Sequence, residues 1–326
     1  LFAIANIGYY LIAARMLRSR NVRATHQPLD GELSSRIKNH LFWTILLAVA
    51  GTFGNRAAET YLLSRYAGPA EVGFFAIGAA LTRGGVELLA AGLNAVLMPL
   101  MAHGFGEGGS AKVHAILADS VRFFGFGGLL LAGVGCIWAE VGVFVVYGGE
   151  YKEAVFAFRI MILAAGLTLA QGAFGALLST TDNQKIRAGV AFGSVLVSIV
   201  AAMLLVPRFG LTGAVISSAA SSVVIFLAVC VGIVKVFSVS LPWKEIGRLI
   251  AAALLAALVS SGLLLLGSGM LLQFFAGLVY LAVYVVGTIV FKAWRQSDIV
   301  QLRPLGTKYP RVFGRLVPLL ERWTGR

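Results

Sequence analysis

Eight apolar stretches, separated by short polar segments, run along the chain near 41–63, 72–101, 122–146, 155–179, 188–206, 211–234, 248–267 and 271–291. Each is long enough to cross about 30 Å of hydrocarbon as a helix rising 1.5 Å per residue. A shorter apolar run at 1–14 lacks the charged start and the cleavage site of a signal peptide. It reads as the end of a further transmembrane helix, so the chain is expected to be the N-terminally truncated, C-terminal part of a longer protein. Glycines recur inside the spans, as in Gly125-x-Gly127-Gly128 and Gly189-x-x-x-Gly193. Small residues let helices approach closely in lipid, where burial of apolar surface gives no drive for association.

The polar segments fall into two classes. If the spans alternate in direction, segments 15–40, 102–121, 180–187, 235–247 and 292–326 share one side and carry nineteen Lys and Arg residues. Segments 64–71, 147–154, 207–210 and 268–270 share the other and carry three. The positive-inside bias places the first set, including the C terminus, in the cytoplasm. A miscounted span would have scrambled this asymmetry. Segment 15–40 reads as a basic cytoplasmic linker between two helical lobes. The tail 292–326 interleaves Trp294, Tyr309, Phe313 and Trp323 with basic residues, in the manner of a membrane-surface segment.

Composition agrees with the pattern. Of 326 residues, 59% are hydrophobic and only 13% charged, and the mean hydropathy is +0.87. A soluble fold would leave most of that apolar surface in water at a cost of roughly 25 cal/mol per Å². The fold class is therefore an all-α polytopic membrane protein. The net charge of +13 would suggest nucleic acid in a soluble protein, but membrane orientation accounts for it here. Cys136 and Cys230 fall inside apolar runs and read as small hydrophobes. The four histidines show no metal-ligand spacing, and neither a metal nor a cofactor is expected.

Five basic residues fall within spans. Arg122 and Arg248 lie at span edges, where they can snorkel. Arg159 is about 6 Å inside the outer boundary. Arg56 and Arg83 are deeper, with Arg83 about 17 Å from its span's outer end. A charge at such depth costs at least about 2.5–3.5 kcal/mol unless it faces protein or a wet cavity. Each has an acid on its own helical face, Glu59 at i+3 from Arg56 and Glu87 at i+4 from Arg83. Asn55, Asn94 and Gln171 add polar groups at similar depths. Two readings stand: self-neutralised pairs that lock helices, or arginines lining a path for an anionic headgroup. Guanidinium suits phosphate because its planar fork donates two parallel charge-assisted bonds. The candidate substrate-binding set is Arg56, Arg83, Glu59, Glu87, Asn55, Asn94, Arg159 and Gln171.

Several stretches carry a resemblance to a known family. They are Asn55-Arg56 followed by Tyr66-Ala67-Gly68-Pro69-Ala70-Glu71-Val72-Gly73-Phe74-Phe75, then Met98-Pro99-Leu100, then Tyr147-Gly148-Gly149-Glu150-Tyr151-Lys152-Glu153-Ala154, and last Val206-Pro207-Arg208-Phe209-Gly210-Leu211-Thr212-Gly213-Ala214. In this order and spacing the sequence resembles the C-terminal portion of polysaccharide and oligosaccharide flippases. These belong to the multidrug/oligosaccharidyl-lipid/polysaccharide exporter (MOP, MATE-like) superfamily. The family often has an acid where Asn55 stands and a tyrosine where Phe75 stands.

The resemblance implies a helical bundle of two six-helix lobes plus two further helices, working by alternating access around a central cavity. On that plan 1–14 ends the first lobe, 15–40 is the linker, 41–234 is the second lobe, 235–291 holds the two additional helices and 292–326 is the tail. The implied substrate is an undecaprenyl-pyrophosphate-linked oligosaccharide, flipped across a bacterial inner membrane for polysaccharide biosynthesis. The lipid bilayer, a coupling cation and polysaccharide polymerase machinery are the further implied partners, and nucleic acid is not one. A cation-coupled multidrug antiporter of the same superfamily is the first alternative, and would favour acidic and aromatic cavity residues. A membrane-embedded glycan polymerase or ligase is the second. The outside loops are short and carry neither paired carboxylates nor a Ser/His/Asp grouping for such chemistry.

Overall fold

The computed structural model describes residues 30–53, 56–180, 183–237, 241–267 and 269–295, with positions 10, 12, 15 and 16. Residues 1–42 and 43–326 form two compact units. Among the described residues there are helices and turns but no strand.

Helix α1 spans Gly31–Phe53 and α2 spans Ala57–Tyr66. The expected single span 41–63 is thus broken between them, and the helix starts at Gly31, inside the segment expected as linker. At the break Arg56 takes a left-handed conformation, φ 59°. That geometry is costly for a residue with a Cβ, by about 1–3 kcal/mol. Helix α3, Pro69–Gly109, follows a tight turn at Gly68, and α4, Ala111–Ile137, follows a break at Gly109 (φ 61°, ψ −152°). The segment 102–121, expected as a loop, is therefore helical up to a tip at Gly109. Glycine and polar residues suggest a loop there, but one left-handed glycine suffices to reverse the chain. A Cβ added at Gly104 would meet the Ile116 side chain. In an unbroken helix those residues would lie about 18 Å apart, so α3 and α4 form a hairpin.

A turn at Trp138 separates α4 from α5, Ala139–Tyr147. A 3₁₀ turn at Gly149–Tyr151 leads into α6, Glu153–Leu167, and α7, Gln171–Thr180. The last two meet at a 47° bend and together match the expected span 155–179. Helix α8 covers Gln184–Phe237 with a break at Gly210 (φ 52°, ψ −129°). Its 54 residues would reach about 80 Å if straight, far beyond a bilayer. Gly213 instead packs on the Leu205 carbonyl, so α8 folds into two limbs at 207–212. These are the expected spans 188–206 and 211–234. Helices α9, Trp243–Leu264, and α10, Met270–Val290, complete the chain.

Helix α6 packs against α3 and α4, α2 against α8, and α7 against α8 and the α3–α4 hairpin. Glycines set the closest crossings. A Cβ at Gly128 would strike the Gly166 carbonyl oxygen, and one at Gly166 would strike that of Gly128. One apolar cluster joins Leu97, Leu117, Phe124, Phe174, Leu177 and Ile225, and another joins Leu63, Phe75, Met161, Val206 and Val215. The pair α9–α10 docks on α4 through Tyr280 and Tyr284, whose hydroxyls donate to the carbonyls of Leu129 (3.0 Å) and Phe126 (3.1 Å). Leu88, Leu196, Met203, Leu204, Leu254, Leu258 and Leu271 point outward, more than half exposed. A continuous apolar exterior of this kind needs lipid. The chain is an all-α polytopic membrane protein.

Candidate functional site

A cavity of about 800 Å³ opens beside the first apolar cluster. Leu47, Ala50 and Gly51 of α1 line it, with Val86, Ala90, Asn94 and Met98 of α3. Thr168, Gln171 and Gly175 come from the α6–α7 bend and α7, and Arg187, Ala191, Ser194 and Ser222 come from both limbs of α8. The α6–α7 bend is what turns the Gln171 region toward α8. The hydroxyls of Thr168 and Ser222 donate to carbonyls of their own helices at 2.9 Å, leaving oxygen lone pairs for other donors. Asn94 and Gln171 sit half-buried on the wall.

Arg187 is the arginine on this wall. Its Nη1 donates to Ser179 Oγ at 2.6 Å. In the sequence it reads as one charge in the polar segment 180–187. Its signal is periodicity: Arg187, Ser194 and Ser198 follow helical spacing and form a polar stripe on one face of α8, shared with the small Ala191.

That stripe leads to a second group. Ser198 donates to Glu59 Oε1 at 2.7 Å, joining α8 to α2. Glu59 is 1% exposed, and its Oε2 has no hydrogen-bond partner among the described residues. The Arg56 guanidinium lies within electrostatic reach of both Glu59 and Arg83. On α3, Arg83, Ala90 and Asn94 are spaced 7 and 11 residues apart, which places them on one helical face. Arg83 is exposed. The two stripes thus run from Arg187 and Asn94 at the cavity to Ser198, which bonds Glu59 of α2, and to Arg83, about 16 Å farther by helical rise.

The candidates therefore separate. Asn94 and Gln171 line the cavity, while Arg56, Glu59 and Arg83 gather beyond it. Glu87 is in α3, but its side chain lies outside the described residues, as does all of Asn55. Arg159 belongs to a different place. Its Nε donates to the Cys136 carbonyl at 3.3 Å, and its Nη2 is 4.0 Å from Glu140 Oε2, which also accepts from Gln273 Nε2 at 2.6 Å. That cluster ties α6, α5 and α10 together. Arg122 corrects an expectation. It does not snorkel but is 1% exposed, with Nη2 at 2.6 Å from Asp119 Oδ1. Nearby, Arg295 pairs with Glu245 at 2.7 Å, so the segment that follows α10 meets α9. Arg248 at its span edge donates to the Lys292 carbonyl at 2.7 Å.

No family model matches the chain. No curated protein matches it either. Among solved structures it resembles a MOP superfamily transporter from Pyrococcus furiosus Vc1 (DSM3638), whose binding pocket is described as having a reverse polarity that suggests a different function. The likeness has a TM-score of 0.54 at 17% identity, and it covers 78% of this chain and 62% of that one. The chain thus spans less than two thirds of that protein's length, and its fold is similar to that of this transporter.

Proposed function

We propose that the chain is part of a transporter that flips an anionic, lipid-linked oligosaccharide across a bacterial inner membrane, from the cytoplasmic to the periplasmic leaflet. The observation that carries this reading is that Arg56 and Arg83 lie within electrostatic reach of each other, with Arg83 on the α3 face that also carries the cavity residue Asn94. Two guanidinium groups so placed can grip one diphosphate, each through two parallel bonds. The like-charge repulsion between them is offset when a dianionic group sits there, and Glu59 supplies the compensating charge in its absence. The cavity offers hydroxyls and amides suited to sugar hydroxyls. The lipid tail remains among the outward apolar side chains. Segments 15–40 and 292–326 then face the cytoplasm, and 41–234 forms one of two lobes that rock in alternating access.

A drug antiporter and a glycan polymerase make different products from the same membrane. Purified protein in proteoliposomes is to be assayed for translocation of a fluorescent undecaprenyl-pyrophosphate-linked oligosaccharide, for efflux of cationic dyes and for polymer formation. Translocation alone is expected. Dye efflux without translocation would replace this reading with the antiporter.

A further inference from the structure

We propose that Arg187 is a second anion-binding position, at the opposite end of the polar stripes from Arg56 and Arg83, which takes a phosphate by exchanging Ser179 for it. The inference rests on the anionic-substrate reading and gives that substrate a first stop.

Arg187 stands in the first turn of α8 and contributes to the wall of the cavity. Its surroundings are unusual for a cation in a membrane. No carboxylate pairs with it among the described residues. Its partner is a neutral hydroxyl, the Ser179 Oγ, which itself donates to the Gly175 carbonyl at 2.8 Å. A half-buried guanidinium has five N–H donors, and one hydroxyl cannot satisfy them. The neighbouring wall groups Asn94 and Gln171 carry side-chain amides with no hydrogen bond among the described residues. A cation without a counter-ion beside such amides is built for an anion from outside the chain. Charge-assisted bonds to phosphate are roughly twice as strong as neutral ones, so a phosphate oxygen displaces the serine.

The spacing makes this a separate position. Arg187 lies about 16 Å by helical rise from the level of Ser198 and Glu59, too far for one diphosphate to bridge. A substrate therefore occupies the two positions in turn, Arg187 first from the cytoplasmic side. Leaving the first restores the Ser179 bond, so Arg187 is never stranded.

The purely structural alternative makes Arg187 a clamp holding α7 to α8. Binding of farnesyl pyrophosphate by calorimetry to the protein in nanodiscs, in an Arg56→Gln/Arg83→Gln background that leaves only the Arg187 position, distinguishes the two, with inorganic pyrophosphate and farnesol as parallel probes. Arg187→Gln can still bond Ser179 but has no charge. We expect it to weaken farnesyl pyrophosphate at least about tenfold, with Arg187→Lys recovering part. Ser179→Ala frees the guanidinium and is expected to tighten binding by about threefold. Inorganic pyrophosphate binding as well as the lipid form marks the site as one for the headgroup alone. Binding of the lipid form alone marks one that also needs the chain. Unchanged affinity in Arg187→Gln overturns the proposal. If that variant fails to fold, unchanged or weaker binding in Ser179→Ala overturns it instead. The Arg56→Gln/Arg83→Gln protein tests the parent reading separately, because it leaves Arg187 intact.

Discussion

The contact between Gly128 and Gly166 gives the sharpest stability test of the fold. Each lies where the other's helix comes closest, and a Cβ on either falls well inside van der Waals contact with the opposing carbonyl oxygen. A Cβ at Gly166 would also meet Ala132 at 2.7 Å. These atoms are backbone or methyl and cannot rotate away. Gly128→Ala must therefore part α4 and α6 by about 1 Å, which forfeits a quarter to a half of the dispersion energy of the atoms along the crossing. Overpacking of this kind costs about 1–3 kcal/mol, against a helix-propensity gain of about 1 kcal/mol from alanine. The net loss should be about 0–2 kcal/mol, which is about 1–3 kcal/mol relative to a Gly→Ala change that meets nothing, and Gly166→Ala should match it. A Cβ added at Gly73 or at Gly189 would meet nothing within 4 Å, so Gly73→Ala and Gly189→Ala are the controls. Thermal unfolding in detergent, followed by size-exclusion chromatography with fluorescence detection, reads all four. If Gly128→Ala melts at the same temperature as Gly73→Ala, the close crossing does not exist.

Ser198→Ala removes the hydrogen bond to the buried Glu59 carboxylate; it should cost about 1–3 kcal/mol in the same melting assay, and pairing it with Glu59→Gln should recover part of the loss. Single cysteines at Ser19 and Thr307 should resist an impermeant thiol reagent added outside, while one at Ala70 should react. Outside labelling of the first two would reverse the orientation inferred from charge.

How much of this is legible in the sequence depends on the kind of feature. Apart from 41–63 and 122–146, which are interrupted at Arg56 and Trp138, the expected spans coincide with helices because lipid demands long apolar runs, and hydropathy reports that demand directly. The break at Arg56 is hidden because apolar residues on both sides make 41–63 read as one span, while the left-handed backbone of Arg56 is visible only in the structure. The helical tip around Gly109 is hidden for the opposite reason: polar residues look like a loop even when a helix carries them beyond the hydrocarbon. At Arg122 the local acid Asp119, three residues earlier, is the sequence sign of a buried pair. The site is legible only in part. Depth singles out Arg56 and Arg83, and their proximity follows from the short hairpin between their helices. Arg187 escapes because it falls in a polar segment, and Ser198 because a serine on an apolar helix carries no charge to flag it. Only tertiary packing joins that serine to Glu59.

The central claim is that Arg56 and Arg83 hold the diphosphate of a lipid-linked glycan. The direct measurement is the rate of leaflet translocation of that lipid in proteoliposomes for Arg56→Gln, Arg83→Gln and the two lysine variants, normalised to folded protein in the membrane. Both glutamine variants should insert normally and lose at least about tenfold in rate, and the lysines should recover only part because the bidentate fork is gone. Wild-type rates in either glutamine variant would contradict the account.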